Sequence, residues 1–194
     1  MKVFFKLFCL ILFFCAGCTT FTKTRDIKAQ IIESARESLS DMPGVAYHYP
    51  GLTDKDARKS LEEWLSARGG AIFPDVHYIR IKHESFIAFN KWFQKTTEQL
   101  KNKEIGDGYD CDNYSFLYKS LLGVSSYKNK NLREILIGVI YVKQKHPFGG
   151  IPSGKFDHAL NIIYTELGWF IYEPQTGKFD KIENYPNEIL WFIF

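Results

Sequence analysis

The chain has 194 residues, with 25 Lys and Arg against 22 Asp and Glu and a formal net charge of +3, two of those charges on Lys2 and Lys6. That near balance excludes the basic footprint of a nucleic-acid-binding protein, and the length suits one domain with a sizeable core rather than two. Of the four cysteines three lie within the first 18 residues, which excludes a disulfide-built scaffold, and the aromatic residues fall mostly in periodic segments and read as core.

The N-terminus reads as an export signal. Lys2 and Lys6 precede an apolar run, Leu7–Ala16, of the length of a secretory h-region; a membrane span needs about 20 apolar residues. Ala16-Gly17-Cys18 resembles a bacterial lipobox. The resemblance implies cleavage after Gly17 and diacylglycerol on the Cys18 sulfur, with ordinary signal cleavage at the same place as the alternative. Thr19 after Cys18 favours, by the same resemblance, sorting to the outer membrane. The expected organisation is a signal over 1–17, a tether over 18–25 and a single domain over 26–194, lipid-anchored at a bacterial cell envelope and facing periplasm or exterior.

Within the domain, Asp26 can cap a first helix in which Ile27, Ile31, Ala35 and Leu39 recur every four residues. Met42-Pro43-Gly44 ends it. Thr53, with Asp56 in the capping-box position, starts a second helix with Ala57, Leu61, Trp64 and Leu65 on one face, and Gly69-Gly70 stops it. Asp75–Ile81 reads as a short strand. A third helix from Glu84 to about Leu100 turns Phe86, Phe89, Phe93 and Leu100 inward. After an acidic loop, Gly106–Asp110, a fourth helix begins at Cys111 with Tyr114, Leu117, Tyr118, Leu121 and Leu122 as its apolar stripe.

Strands follow. Ile135–Val142 is apolar at both parities, as in a central strand. Residues 143–156 form a Gly/Pro-rich loop long enough to border a cleft. His158–Thr165 and Trp169–Glu173 read as a hairpin turning at Glu166-Leu167-Gly168, and Glu188–Phe194 as a last strand. Helices first and an antiparallel sheet later predict an α+β domain, the Cys111 helix packed on the sheet.

Cys111 is the only cysteine in the expected domain. A thiol at a helix start faces unpaired backbone N–H groups and the positive end of the helix dipole, an environment that brings a cysteine from about 8.5 down to roughly 3.5–7.5. A thiolate nucleophile needs a base in contact and a third group to fix that base. His158, opening a strand after the loop, is the best placed of the five histidines, and Glu173 the best third group. With a two-residue hairpin loop, Thr165 pairs with Gly168, His158 stands opposite Gln175, and Glu173 is its diagonal neighbour. With a bulged three-residue loop the register slips, and Gln175, Asn161 or Asp180 would orient the imidazole instead.

Cys-Asp-Asn-Tyr-Ser at 111–115, His-Ala-Leu-Asn at 158–161 and Tyr-Glu-Pro-Gln-Thr-Gly at 172–177 resemble the papain-like and transglutaminase-like cysteine peptidase superfamily, and in order and spacing the protease domain of a mushroom agglutinin. The resemblance spans about residues 105–180. It implies Cys111 as nucleophile, His158 as base and Glu173 as third member, in acyl transfer at a peptide or cell-wall amide. Papain-type enzymes place a Gln several residues before the cysteine, and none occurs between Asp107 and Cys111. Backbone N–H groups of Cys111 and Tyr109 are the substitute for that oxyanion donor, and Gln175 and Asn161 are the further substrate-side candidates.

The expected activity is that of a cysteine peptidase, amidase or transglutaminase-like enzyme, with no cofactor. The alternative keeps the fold without catalysis, as a lipoprotein binding module for peptide or glycan; a third reading makes Cys111 a buried structural thiol. Asp107, Asp110 and Asp112 match no calcium loop, Asp110 serving as helix cap, and no metal site is expected.

Overall fold

Backbone pairing across long stretches of sequence decides this architecture. The computed structural model describes residues 39–61, 64, 71–72, 77–101, 110–128, 134–154 and 157–194. In chain order these form β1 (Tyr47–Thr53), α1 (Asp54–Ser60), β2 (Ala71–Ile72), β3 (His77–Ile81), α2 (His83–Lys101), α3 (Cys111–Lys128), β4 (Glu134–Ile135), β5 (Ile137–Lys143), β6 (Asp157–Thr165), β7 (Gly168–Glu173), β8 (Lys178–Lys181), a 3₁₀ turn at Ile182–Asn184 and β9 (Glu188–Ile193). Among the described residues the strands make one nine-stranded sheet with the path β1-β3-β6-β5-β9-β2; β4 attaches to β3, and β7 joins β6 to β8.

The expected fold class, N-terminal helices followed by a helix on an antiparallel sheet, is corrected here. The sheet is mixed: β2 runs parallel to β9, and β3 runs parallel to both β4 and β6. The N-terminal part also supplies strands where only helices and one short strand were expected. No strand is expected from the sequence over Tyr47–Thr53, which contains Pro50-Gly51. The segment is an edge strand whose register on β3 is interrupted between His48 and Leu52, and edges and bulges are where a strand tolerates proline. The two-residue β2 is too short to leave a pattern. Of the expected first helix only Leu39 and Ser40 are described, and both are helical; the rest, with the leader, Cys18 and the tether, lies outside the described residues.

Local signals succeed where both partners are near in sequence. Thr53 caps α1, its hydroxyl accepting from the Asp56 backbone N–H while the Asp56 carboxylate accepts from the Thr53 N–H, a complete capping box. The Thr165–Gly168 pair leaves Glu166-Leu167 as a two-residue hairpin loop, and Gly168 takes the positive φ of +107° that closes it.

Apolar side chains collect into two clusters. One joins Phe86, Phe89 and Phe93 of α2 to Tyr118 and Leu122 of α3 and to Ile163, Phe170 and Tyr172 of the sheet. The other holds Ala57 and Leu61 with Ile140, Leu160, Ile162, Ile171 and Phe192. Successive residues such as Ile162 and Ile163, or Phe170 and Ile171, fall into different clusters, as the two-residue period of a strand requires. Both faces of β6 and β7 are therefore apolar, which is why those strands read as continuous hydrophobic runs. Asn161 ties α3 to the sheet: its Nδ2 donates to the Ser115 carbonyl at 2.9 Å and to the Gly138 carbonyl at 3.2 Å, with the side chain fully buried. That bond fixes where α3 lies over β6, and hence where its first residue stands.

Candidate functional site

Three elements end at one place. Cys111 is the first residue of α3, His158 the second of β6, and Glu173 the last of β7. Since Asn161 pairs with Tyr172, antiparallel register sets Glu173 across from Leu160 and diagonal to His158. His158 Nε2 and Glu173 Oε2 are hydrogen-bonded, with the imidazole 4 % and the carboxylate 0 % exposed. The second Glu173 oxygen, Oε1, accepts from the Gln175 backbone N–H at 2.9 Å, so the buried carboxylate is satisfied at both oxygens. The half-buried, free Cys111 thiol hydrogen-bonds the same imidazole. With Nε2 taken by Glu173, Nδ1 is the ring nitrogen left for the sulfur.

Burial disfavours the charged ring. The hydrogen bonds to Cys111 and Glu173, with the charges behind them, outweigh it and raise His158 from 6.5 to about 9. At neutral pH the ring is an imidazolium held between Cys111 and Glu173.

Beside Cys111, Asp110 caps α3. Its Oδ1 accepts from Asn113 Nδ2 at 3.1 Å and, more loosely, from the Asn113 backbone N–H at 3.5 Å. Asp110 and Asp112 are hydrogen-bonded to each other, which lowers Asp110 and raises Asp112, the latter also through burial and like charge.

Across from this helix start lies an aromatic pair. Tyr141 of β5 is the register partner of Trp191 of β9, and their rings stack with centroids 4.2 Å apart and planes 7° from parallel. Trp191 is 37 % exposed. The ladder slips between Tyr141 and Val142, an irregularity of the kind that re-aims a side chain. Burial raises the Tyr141 phenol, and so does its electrostatic interaction with Asp112, Cys111 and Asp110. Reading the aromatics as core misses this pair. Its only signal was an aromatic on each of two predicted strands, and the register that joins them is not a local property.

The remaining sequence candidates are placed differently. Gln175 contributes its backbone N–H to Glu173. Asn161 is buried at the helix–sheet junction, away from His158. Asp157 pairs with Lys143 at 2.5 Å on the surface. Tyr109 and Asp107 lie outside the described residues, as does the lipidation candidate Cys18. Among the described residues no helix is long and apolar enough to cross a membrane.

No family model matches the chain, and no curated protein does. Solved structures do. One, titled a PSL1a-E64 complex, superposes with a TM-score of 0.56 at 14% identity, covering 74% of this chain and 50% of the other. A second is Polyporus squamosus lectin bound to the human-type influenza-binding epitope Neu5Aca2-6Galb1-4GlcNAc, with a TM-score of 0.55 at 13% identity, covering 74% and 49%. The chain spans about half the length of these solved chains, and identities so low show a shared fold alone.

These matches correct the peptidase reading. The chains that share the fold are lectin complexes, and no peptidase model matches, so the papain-like or transglutaminase-like assignment falls, as do the hydrolase and thiol-protease function and the peptide or cell-wall amide substrate drawn from it. No comparison supports a lipid-anchored envelope protein either. The saccharide named with the second structure is a non-peptide ligand.

Proposed function

We propose that this chain is a binding module for saccharides, with the Tyr141–Trp191 pair as its contact surface and the Asp110, Asp112, Cys111, His158 and Glu173 cluster as its polar wall. The nearly parallel ring stack, Trp191 exposed and Tyr141 half-buried within the field of Asp110 and Asp112, carries the reading. A pyranose has an apolar C–H face that packs on an aromatic ring and a rim of hydroxyls that need acceptors. Aromatic anchors with a few fixed polar groups are what small-ligand sites use for affinity and orientation.

The lectin matches support the same class of ligand, the trisaccharide Neu5Aca2-6Galb1-4GlcNAc being bound in one solved structure of this fold. Charge refines it for this chain. The negative charge around Tyr141 repels an acidic sugar, so neutral saccharides such as Galb1-4GlcNAc are favoured over their sialylated forms. The His158 imidazolium, braced by Glu173, holds the thiol side of the wall rigid.

Glycan-array screening followed by calorimetry tests this. A neutral oligosaccharide should bind, and Trp191→Ala should weaken it by about tenfold or more, as loss of an aromatic anchor does, with the circular dichroism spectrum unchanged. Absence of saccharide binding, equal affinity in the variant, or turnover of a peptide or amide by Cys111 would each overturn the proposal.

A further inference from the structure

The Gly/Pro-rich loop between β5 and β6 contains a tight turn that packs directly on Glu173. Phe148 and Ile151 form an isolated antiparallel bridge, bonded both ways at 3.1 and 2.9 Å. Gly149 and Gly150 sit between them with φ of +62° and +87°, the left-handed pair that a two-residue reversal demands. The two glycines differ in what surrounds them. A Cβ on Gly149 would stand 2.7 Å from Glu173 Cβ and 3.1 Å from Glu173 Cγ, whereas one on Gly150 would meet nothing closer than Thr176 Cγ2 at 3.7 Å.

The turn is also fastened from outside. Thr176 Oγ1 donates to the Gly149 carbonyl, and the Phe148 ring stands edge-on to Tyr185 at 4.9 Å, whose phenol feels the Glu173 charge. Glu173 has no freedom on its own strand end either, since Gly177 N–H closes a turn onto its carbonyl at 2.8 Å.

We infer that Gly149 is a positioning residue: the bare backbone of the 148–151 turn presses on the Glu173 side chain and keeps its carboxylate on His158, so that this loop, remote in sequence from Cys111, sets the orientation of the imidazole facing the thiol. The inference concerns the same cluster that forms the wall of the proposed saccharide site, yet it is tested without any saccharide, so the two stand or fall separately. The groups facing His158 are Cys111 from α3 and Glu173 from β7, with Tyr185 next to Glu173.

The experiment is an NMR titration of the His158 ring in the full chain, for the wild type, Gly149→Ala, Gly150→Ala, Thr176→Val and Glu173→Gln. Both alanine variants carry the strain of a side chain at positive φ, but only one clashes with Glu173. The wild-type ring should titrate near 9. Gly149→Ala should bring the midpoint down toward the ordinary imidazole value by about one unit or more. Thr176→Val, which introduces no backbone strain and serves if Gly149→Ala fails to fold, should move it the same way by less, and Gly150→Ala should leave it in place. The inference is overturned if Gly149→Ala, or Thr176→Val where that variant must stand in for it, titrates like the wild type, or if Gly150→Ala shifts the ring equally, which would make the effect one of general loop strain. An unchanged midpoint in Glu173→Gln would overturn it at the contact on which it rests.

Discussion

His158 carries a proton that the unfolded chain gives up more readily, and that difference links stability to pH. Its pKa rises from 6.5 to about 9 on folding, burial being outweighed by Cys111 and Glu173. A group raised in the folded state adds stability that is complete below the unfolded pKa and is lost as pH climbs through the folded one. The window is therefore pH 6.5 to 9, and a displacement of this size corresponds to about 3 kcal/mol. Thermal melts across that window should show the wild type losing stability relative to His158→Gln as pH rises; parallel curves would refute the linkage. At this scale the sequence was informative about Cys111, His158 and Glu173, because a helix start, a strand start and a hairpin register are each set by nearby residues. It was silent on Tyr141 and Trp191, whose meeting depends on a ladder between segments about fifty residues apart.

Elements show the same division between local and distant causes. The capping box of α1 was legible because Thr53 and Asp56 are three residues apart and satisfy each other's backbone donors. Thr53→Ala removes the side-chain acceptor and should cost about 1 kcal/mol in urea unfolding, without altering the sheet. The docking of α3 was not legible, and Asn161 shows why. Its place in a predicted strand beside His158 suggested a substrate-side role, while its amide N–H groups are spent on the Ser115 and Gly138 carbonyls. Asn161→Ala removes both donors and leaves a void in a sealed junction, and should destabilise by about 1–3 kcal/mol. Because α3 carries Cys111, the same variant should also lower the His158 midpoint by loosening the thiol contact; an unchanged ring titration would show that the helix start is held by something else. Edge strand β1 was missed for the opposite reason: Pro50-Gly51 is a strong local turn signal, overridden by pairing with β3 at a place where the ladder is already broken.

At the level of the whole molecule, strand order is the property least accessible to local reading. Nothing near Glu188–Ile193 says that this segment lies between β5 and β2, antiparallel to one and parallel to the other, since its run Ile189-Leu190-Trp191-Phe192-Ile193 is apolar at both parities and lacks the alternation that would mark an orientation. Two-sided burial in β6 and β7 has a thermodynamic consequence. The clusters around Phe93 and around Phe192 lie on different sides of strands they share: Ile163, Phe170 and Tyr172 feed one, Leu160, Ile162 and Ile171 the other. Neither can disperse while β6 and β7 stay paired, because each strand would then expose an apolar face that its partner cluster alone cannot cover. Unfolding should therefore be a single cooperative transition. Phe93→Ala and Phe192→Ala, both at fully or nearly fully buried rings, should each lower stability by about 3–5 kcal/mol and shift the urea midpoint with the slope unchanged. Tryptophan fluorescence in a Trp92→Phe background, which leaves Trp64 and Trp169 at the second cluster and Trp191 on β9, and far-ultraviolet circular dichroism, dominated by α2 and α3 over the first, should trace coincident curves in both variants. If Phe93→Ala separated the two signals, the clusters would be independent folding units and the shared-strand argument would fail.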